Sequence, residues 1–184
     1  MSLYKTLMDL LYDITVTALD LDSNSQNVVP IENYESVGGL RNPAQNFIFY
    51  GIQTTDDAIN KQVDVIATTG TNEAIAYQKV QYVRNLRFTW HFYGDDGFEW
   101  ADTMRVRLFD TDIRTMLSDL GITMVTNVPE AFYVPELIGG QWYKRYDLTA
   151  TFNQLVTRTN ELPAIALATV YIETEEGVVA ECSV

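Results

Sequence analysis

Leu86-Arg87-Phe88-Thr89-Trp90-His91-Phe92-Tyr93-Gly94-Asp95-Asp96-Gly97 is the stretch on which the fold turns. Leu86, Phe88, Trp90 and Phe92 alternate with Arg87, Thr89, His91 and Tyr93, a period of two that gives one apolar and one mixed face. This is a strand with one side in a core, central to a sheet or close to it. Tyr93 to Gly97 then supplies a turn and a helix start, because Asp95 or Asp96 can cap exposed amides and meets the positive end of the helix dipole. The spacing predicts one helix to about Asp119. Its apolar side runs Ala101, Met104, Leu108, Ile113, Met116, Leu117 and Leu120, with Asp110 and Arg114 as an i,i+4 pair and Gly121 at C′.

On the N-terminal side, Leu3, Leu7, Leu10, Leu11, Ile14 and Ala18 form one stripe of a 3.6-residue period, with Ser2 as a candidate N-cap. Asp20 to Gln45 has no period and contains Pro30, Gly38, Gly39 and Pro43, so it reads as a long loop with a short extended piece at Val28 to Ile31. Asn46 to Thr55 is aromatic and β-branched enough for a strand buried on both faces, and a short strand is expected at Val63 to Ile66. On the C-terminal side, Ile122 to Val128 reads as a strand and Pro129 to Gln141 as irregular. Tyr146, Leu148, Ala150 and Phe152 then alternate with polar residues as a second amphipathic strand. Ala164 to Glu173 and Val178 to Val184 pair about a turn at Glu176-Gly177. With helices few and strands mostly adjacent in sequence, the expectation is an α+β fold. It is a single domain over residues 1–184: a mixed or antiparallel sheet with two main helices packed on one face, long loops and a C-terminal β-hairpin.

The chain has 184 residues, 47% hydrophobic and 20% charged, the balance of a globular protein. Twelve Lys and Arg against 25 Asp and Glu give a net charge of −13, the wrong sign for a surface that grips phosphates. Residues 1–78 hold ten acidic and three basic side chains, residues 79–158 ten and nine, and residues 159–184 five and none. Two readings stay open: a charge that keeps molecules apart in solution, and a surface that must not hold a polyanion. The lone Cys182 cannot form an intramolecular disulfide, which fits synthesis in a reducing cytoplasm. Asp9 and Asp13 interrupt any signal-peptide core, and the uncharged run Leu162 to Ile172 is too short to span a bilayer, so a soluble chain without a membrane role is expected.

His91 is the single histidine, and a strand histidine of this kind is commonly a surface or edge residue. Asp95, Asp96, Glu99 and Asp102 are the densest acidic cluster, readable as a Mg²⁺ or Ca²⁺ site or as helix capping and a solvated helix face. The pairs Gly38-Gly39 and Gly139-Gly140 extend to neither phosphate-binding motif, and no G-x-S-x-G or H-E-x-x-H is present. No catalytic residue, metal or cofactor is therefore expected. The opposing reading is a small cytoplasmic metal-dependent enzyme with a carboxylate site at Asp95, Asp96 and His91.

Glu130 to Tyr143 carries Phe132, Tyr133, Val134, Pro135, Leu137, Ile138, Trp142 and Tyr143. Exposed aromatics in loops mark contact surfaces, whereas the same residues tucked under the sheet would be satellite core. Phe132, Tyr133, Trp142, Tyr143 and Arg145 are the interface candidates, and exposure of these loops would imply an oligomer.

In order and spacing these features resemble the tail terminator or neck proteins of tailed bacteriophages. The matching pieces are the amphipathic N-terminal helix, the Pro-containing approach to an aromatic strand in Asn42-Pro43-Ala44-Gln45-Asn46-Phe47-Ile48-Phe49-Tyr50, and Phe92-Tyr93-Gly94-Asp95-Asp96 opening a helix. Leu120-Gly121-Ile122 and Trp142-Tyr143-Lys144-Arg145-Tyr146-Asp147-Leu148 follow, so that the likeness spans roughly residues 3 to 157. The resemblance implies a structural virion protein of the neck, made in the host cytoplasm. It implies a homo-oligomeric ring, a hexamer, on the head-proximal end of the tail tube, which stops tube growth and joins tail to head connector. Its partners would be itself, the tail tube protein and the connector protein, with DNA passing through the lumen without being specifically bound. Another head–tail connector or tail-completion protein is the competing structural reading.

Overall fold

The computed structural model describes residues 3–33, 45–56, 61–69, 75–163, 169–174 and 177–183. Ser2, Gly38, Gly39, Pro43 and Glu176, on which the first N-cap, the loop and the final turn were expected, lie outside them. The chain divides into two compact units, Met1–Lys61 with Val83–Leu155, and Gln62–Tyr82 with Val156–Val184.

The first unit is built on β1 (Val28–Pro30), β2 (Phe47–Thr55), the later part of β4 (Ile75–Tyr93), the earlier part of β9 (Arg145–Pro163) and β5 (Ile122–Met124). The strands lie in the order β1-β2-β4-β9-β5. β1 runs parallel to β2, β2 antiparallel to β4 and β5 antiparallel to β9, which makes a mixed sheet. The alternation in β4 and β9 does what it predicts: Leu86, Phe88, Trp90, Phe92, Leu148, Ala150 and Phe152 are all buried. They share one core with α1 (Leu3–Ala18), α2 (Gly97–Arg107) and α3 (Thr111–Ser118) through Leu11, Ile14, Met104, Ile113 and Leu117, so the helices cover one face. β2 is buried on both sides because Phe47 and Phe49 pack with Val29 and Tyr93 on the other face. The Phe47 and Tyr93 rings stack there at 4.5 Å. This is the α+β architecture expected.

Several elements differ from the expectation: the strand expected over Ile122 to Val128 ends at Met124, and the strand read from Leu86 begins at Ile75. The long helix to Asp119 is two helices, because the chain leaves the helix at Leu108-Phe109-Asp110 and Asp110 takes the extended conformation of an N-cap. Its carboxylate pairs backwards with Arg107 at 2.9 Å rather than forwards with Arg114. Neither Asp95 nor Asp96 caps α2 through its side chain; Asp95 pairs with Lys144, and Asp96 accepts from the Asn46 amide. Asn46 Oδ1 also accepts from the Asp96 backbone N–H at 3.2 Å, so Asn46 fastens the turn that the carboxylates were expected to stabilise. Gly94, at φ +96, lies so close beneath it that a Cβ there would sit 2.8 Å from Asn46 Cα. The irregular stretch after Pro129 contains three short strands, β6 (Phe132–Tyr133), β7 (Glu136–Ile138) and β8 (Gln141–Tyr143).

In the second unit β3 (Val63–Thr69) pairs antiparallel with the first part of β4, and β10 (Thr169–Thr174) pairs with β11 (Gly177–Ser183) as the C-terminal hairpin.

Candidate functional site

The aromatic stretch is presented on two pieces of backbone. β6 adds to β9, Phe132 opposite Asp147 and Tyr133 opposite Tyr146, while β7 and β8 form a hairpin of their own. Gly139 and Gly140 make its two-residue turn, both with positive φ (+59° and +86°), the conformation that lets a tight hairpin follow the strand twist. Leu137 and Trp142 are directly opposed across the hairpin and therefore stand on one face. Phe132 is 74% exposed and Trp142 70%, and Tyr133 and Leu137 are exposed as well. Tyr133 and Phe98 each pack on the half-buried Tyr146, with ring centroids 5.2 and 5.6 Å apart, so Tyr133 lies on the helix side of the sheet and Phe132, its neighbour in β6, on the other.

A polar network lies on the mixed face of β4 and β9. Arg145 donates to both carboxylate oxygens of Asp147, Nε to Oδ1 at 2.9 Å and Nη2 to Oδ2 at 2.8 Å, and Nη1 reaches Glu136 Oε2 at 3.2 Å. The Tyr93 hydroxyl donates to the same Glu136 oxygen, and His91 Nδ1 lies 2.6 Å from Asp147 Oδ1. Burial alone would raise the Asp147 carboxyl, but hydrogen bonds from His91 and Arg145 outweigh it and hold the group below the ordinary aspartate range. Burial likewise opposes the Arg145 charge, and Asp147 more than offsets it, so the guanidinium stays ionised. Burial, then the Glu136 carboxylate, pushes the Tyr93 hydroxyl above its usual value. Glu136 is the first residue of β7, so this network ties the base of the aromatic hairpin to the central strands.

Of the interface candidates, Phe132, Tyr133 and Trp142 are exposed. Tyr143 is half-buried, its hydroxyl donating to Gln141 at 2.9 Å, and Arg145 is engaged in the polar network. His91 is not the unpaired surface histidine expected but a half-buried partner of Asp147. Tyr93, Asp147, Glu136, Phe98 and Tyr146 were missed. Four positions of the network, His91, Tyr93, Arg145 and Asp147, lie on the mixed faces of the two amphipathic strands, and that shared alternation is the signal that could have grouped them. Asp95, Asp96 and His91 each have a different partner, and among the described residues no three His, Cys, Asp or Glu side chains gather as metal ligands. Among them too, no helix is long and apolar enough to cross a membrane.

Exposed aromatic side chains on short strands, one of them tied to the sheet by an ion pair, are the kind of feature that makes contacts with other proteins. The chain belongs to the phage neck terminator protein family, whose model matches residues 5–178. Membership places it among the structural proteins of the phage tail and neck. No curated protein matches the chain.

Proposed function

We propose that the chain forms a ring of six copies that caps the head-proximal end of the tail tube, ends tube growth and joins the tail to the head connector, with DNA passing through its lumen. Residues 1–184 act as one tail-terminator-like domain in this reading. The observation that carries it is the family match over residues 5–178. The exposed side chains add a physical reason for assembly: Phe132, Tyr133, Leu137 and Trp142 leave apolar area in water that a neighbour would bury. Subunit contacts are assigned to residues 79–158, where basic and acidic side chains nearly balance. The acidic ends are assigned to the lumen or its rim, because a negative wall repels phosphates and lets a polyanion slide.

Electron microscopy of the purified protein mixed with tail tubes tests this. Rings seated on one end of the tubes are expected. A protein that stays monomeric at high concentration and leaves tubes bare would refute it, and rings found on connectors but never on tubes would give the competing connector reading.

A further inference from the structure

The structure carries one inference that rests on the ring reading but moves residues 159–184 from the lumen wall to the joint between subunits: we propose that a cleft around Arg84 is the docking site for the acidic, aliphatic-rich segment 159–184 of a second copy of this chain. The cleft lies within the first unit, between α1, β2 and β4, with a volume of ≈ 330 Å³. Its walls are Leu3, Leu7, Ile52 and Leu86, and its one charged lining residue is Arg84. Tyr4 also lines it, but its hydroxyl is committed to Glu32.

Arg84 is half-buried and poorly served. Its Nη2 donates to the neutral Gln154 side chain, its Nε–H is buried without an acceptor, and among the described residues no carboxylate pairs with it. A guanidinium withdrawn from water without an anion is costly, and apolar walls strengthen its attraction for a carboxylate that arrives. The fitting occupant therefore carries an acid on an aliphatic background. Residues 159–184 are such a segment: five acidic side chains and no basic one, among residues such as Ile165, Leu167, Val170, Ile172, Val178 and Val179. Among the described residues β10 and β11 hydrogen-bond as strands only to each other, so this hairpin belongs to no larger sheet. A cleft and a complementary segment on different parts of one chain form a head-to-tail joint, the kind that closes rings.

The test uses charge exchange in the full-length chain. One variant is Arg84→Glu; the other combines Glu173→Lys, Glu175→Lys, Glu176→Lys and Glu181→Lys. Each alone sets like charges against each other at every joint, whereas an equimolar mixture restores opposite charges at every joint of an alternating ring. Sedimentation with tail tubes present is expected to show the native chain assembling, each variant failing, and the mixture assembling. Arg84→Met serves as the control for folding. The variant removes a half-buried cation that has no carboxylate partner but also the donor to the buried Gln154 oxygen, so the melting temperature should move by no more than about 5 °C, while the concentration needed for assembly rises by about tenfold. If the native chain assembles and Arg84→Met or Arg84→Glu assembles equally well, or if the folded variants fail to complement, the docking site is wrong while the ring reading stands. If the native chain does not assemble even with tubes, the ring reading fails and the docking site falls with it.

Discussion

Thr15 decides how Trp90 can be buried. The indole N–H donates to Thr15 Oγ1 at 2.9 Å, and the Thr15 hydroxyl donates on to the Leu11 carbonyl at 2.6 Å, with both side chains fully buried. Thr15→Val keeps the shape and removes the acceptor, leaving a buried N–H unpaired. It should cost about 1–3 kcal/mol, read as a lower urea midpoint at unchanged slope. The stripe of leucines in α1 was legible in the sequence, but Thr15 lies off it, and a threonine carries no mark of the partner 75 residues away. Asp147 makes the second case. Its carboxyl is held below 3.8, the ordinary value, despite burial, by His91 and Arg145. A depressed folded-state pKa gives stability that is present above the unfolded value and lost as pH falls through the folded one. Unfolding titrations should therefore show stability dropping from about pH 4 downward. Asp147→Asn should lack that part of the drop, and an unchanged acid limb in the variant would show that Asp147 contributes nothing to it.

The aromatic hairpin shows what the sequence could and could not convey at the scale of an element. Its residue types pointed to contact, but β6 has two residues and β7 and β8, joined by Gly139-Gly140, have three each, too few for a measurable period, so the stretch reads as loop. The helix break failed for a related reason. Apolar spacing continues through Leu108 and Ile113, whereas the stop depends on Asp110 adopting extended dihedrals and pairing with Arg107. The later part of β4 and the earlier part of β9 were legible because seven buried positions there repeat a period of two, whereas residues 75–85 and 154–163 of the same strands were not. Since Phe132 and Trp142 are mostly in water, Phe132→Ser and Trp142→Ser together should leave the melting temperature within about 2 °C of the native value. The same variant should weaken partner or self-association by about 2 kcal/mol or more if these rings are anchors, about thirtyfold in midpoint concentration. Native-like association would remove the hairpin from the contact surface. By contrast, Arg145→Met should lower stability by about 2–3 kcal/mol, because it leaves Asp147 and Glu136 half-buried without their cation.

At the scale of the molecule the net charge of −13 acquires a distribution in space. Several bases of residues 79–158 are occupied by acids of the same stretch: Arg145 by Asp147 and Glu136, Lys144 by Asp95, Arg107 by Asp110. Arg107 also reaches Asp20 at 3.5 Å, and Lys61 reaches Asp56, but most acids of the first 78 residues gain no such partner among the described residues. On α1, Asp9 and Asp13 are exposed one turn apart. The Asp13 carboxyl is raised first by burial and then by Asp9, the signature of like charges held together. The sequence could count this excess and the near balance of the middle but could not show which acids pair with which bases, because that depends on which strands become neighbours. If the acidic first 78 residues line the lumen of the proposed ring, the native assembly should not retain double-stranded DNA even at about 50 mM salt, where phosphate contacts are strongest. Asp9→Lys and Asp13→Lys together should create retention that weakens steeply as salt rises, since each added phosphate contact releases counterions. Filter binding across a salt series measures both. Native rings that hold DNA with that same salt dependence would mean a basic lumen, and those acidic residues would then have to face outward, where their charge serves only to keep particles apart.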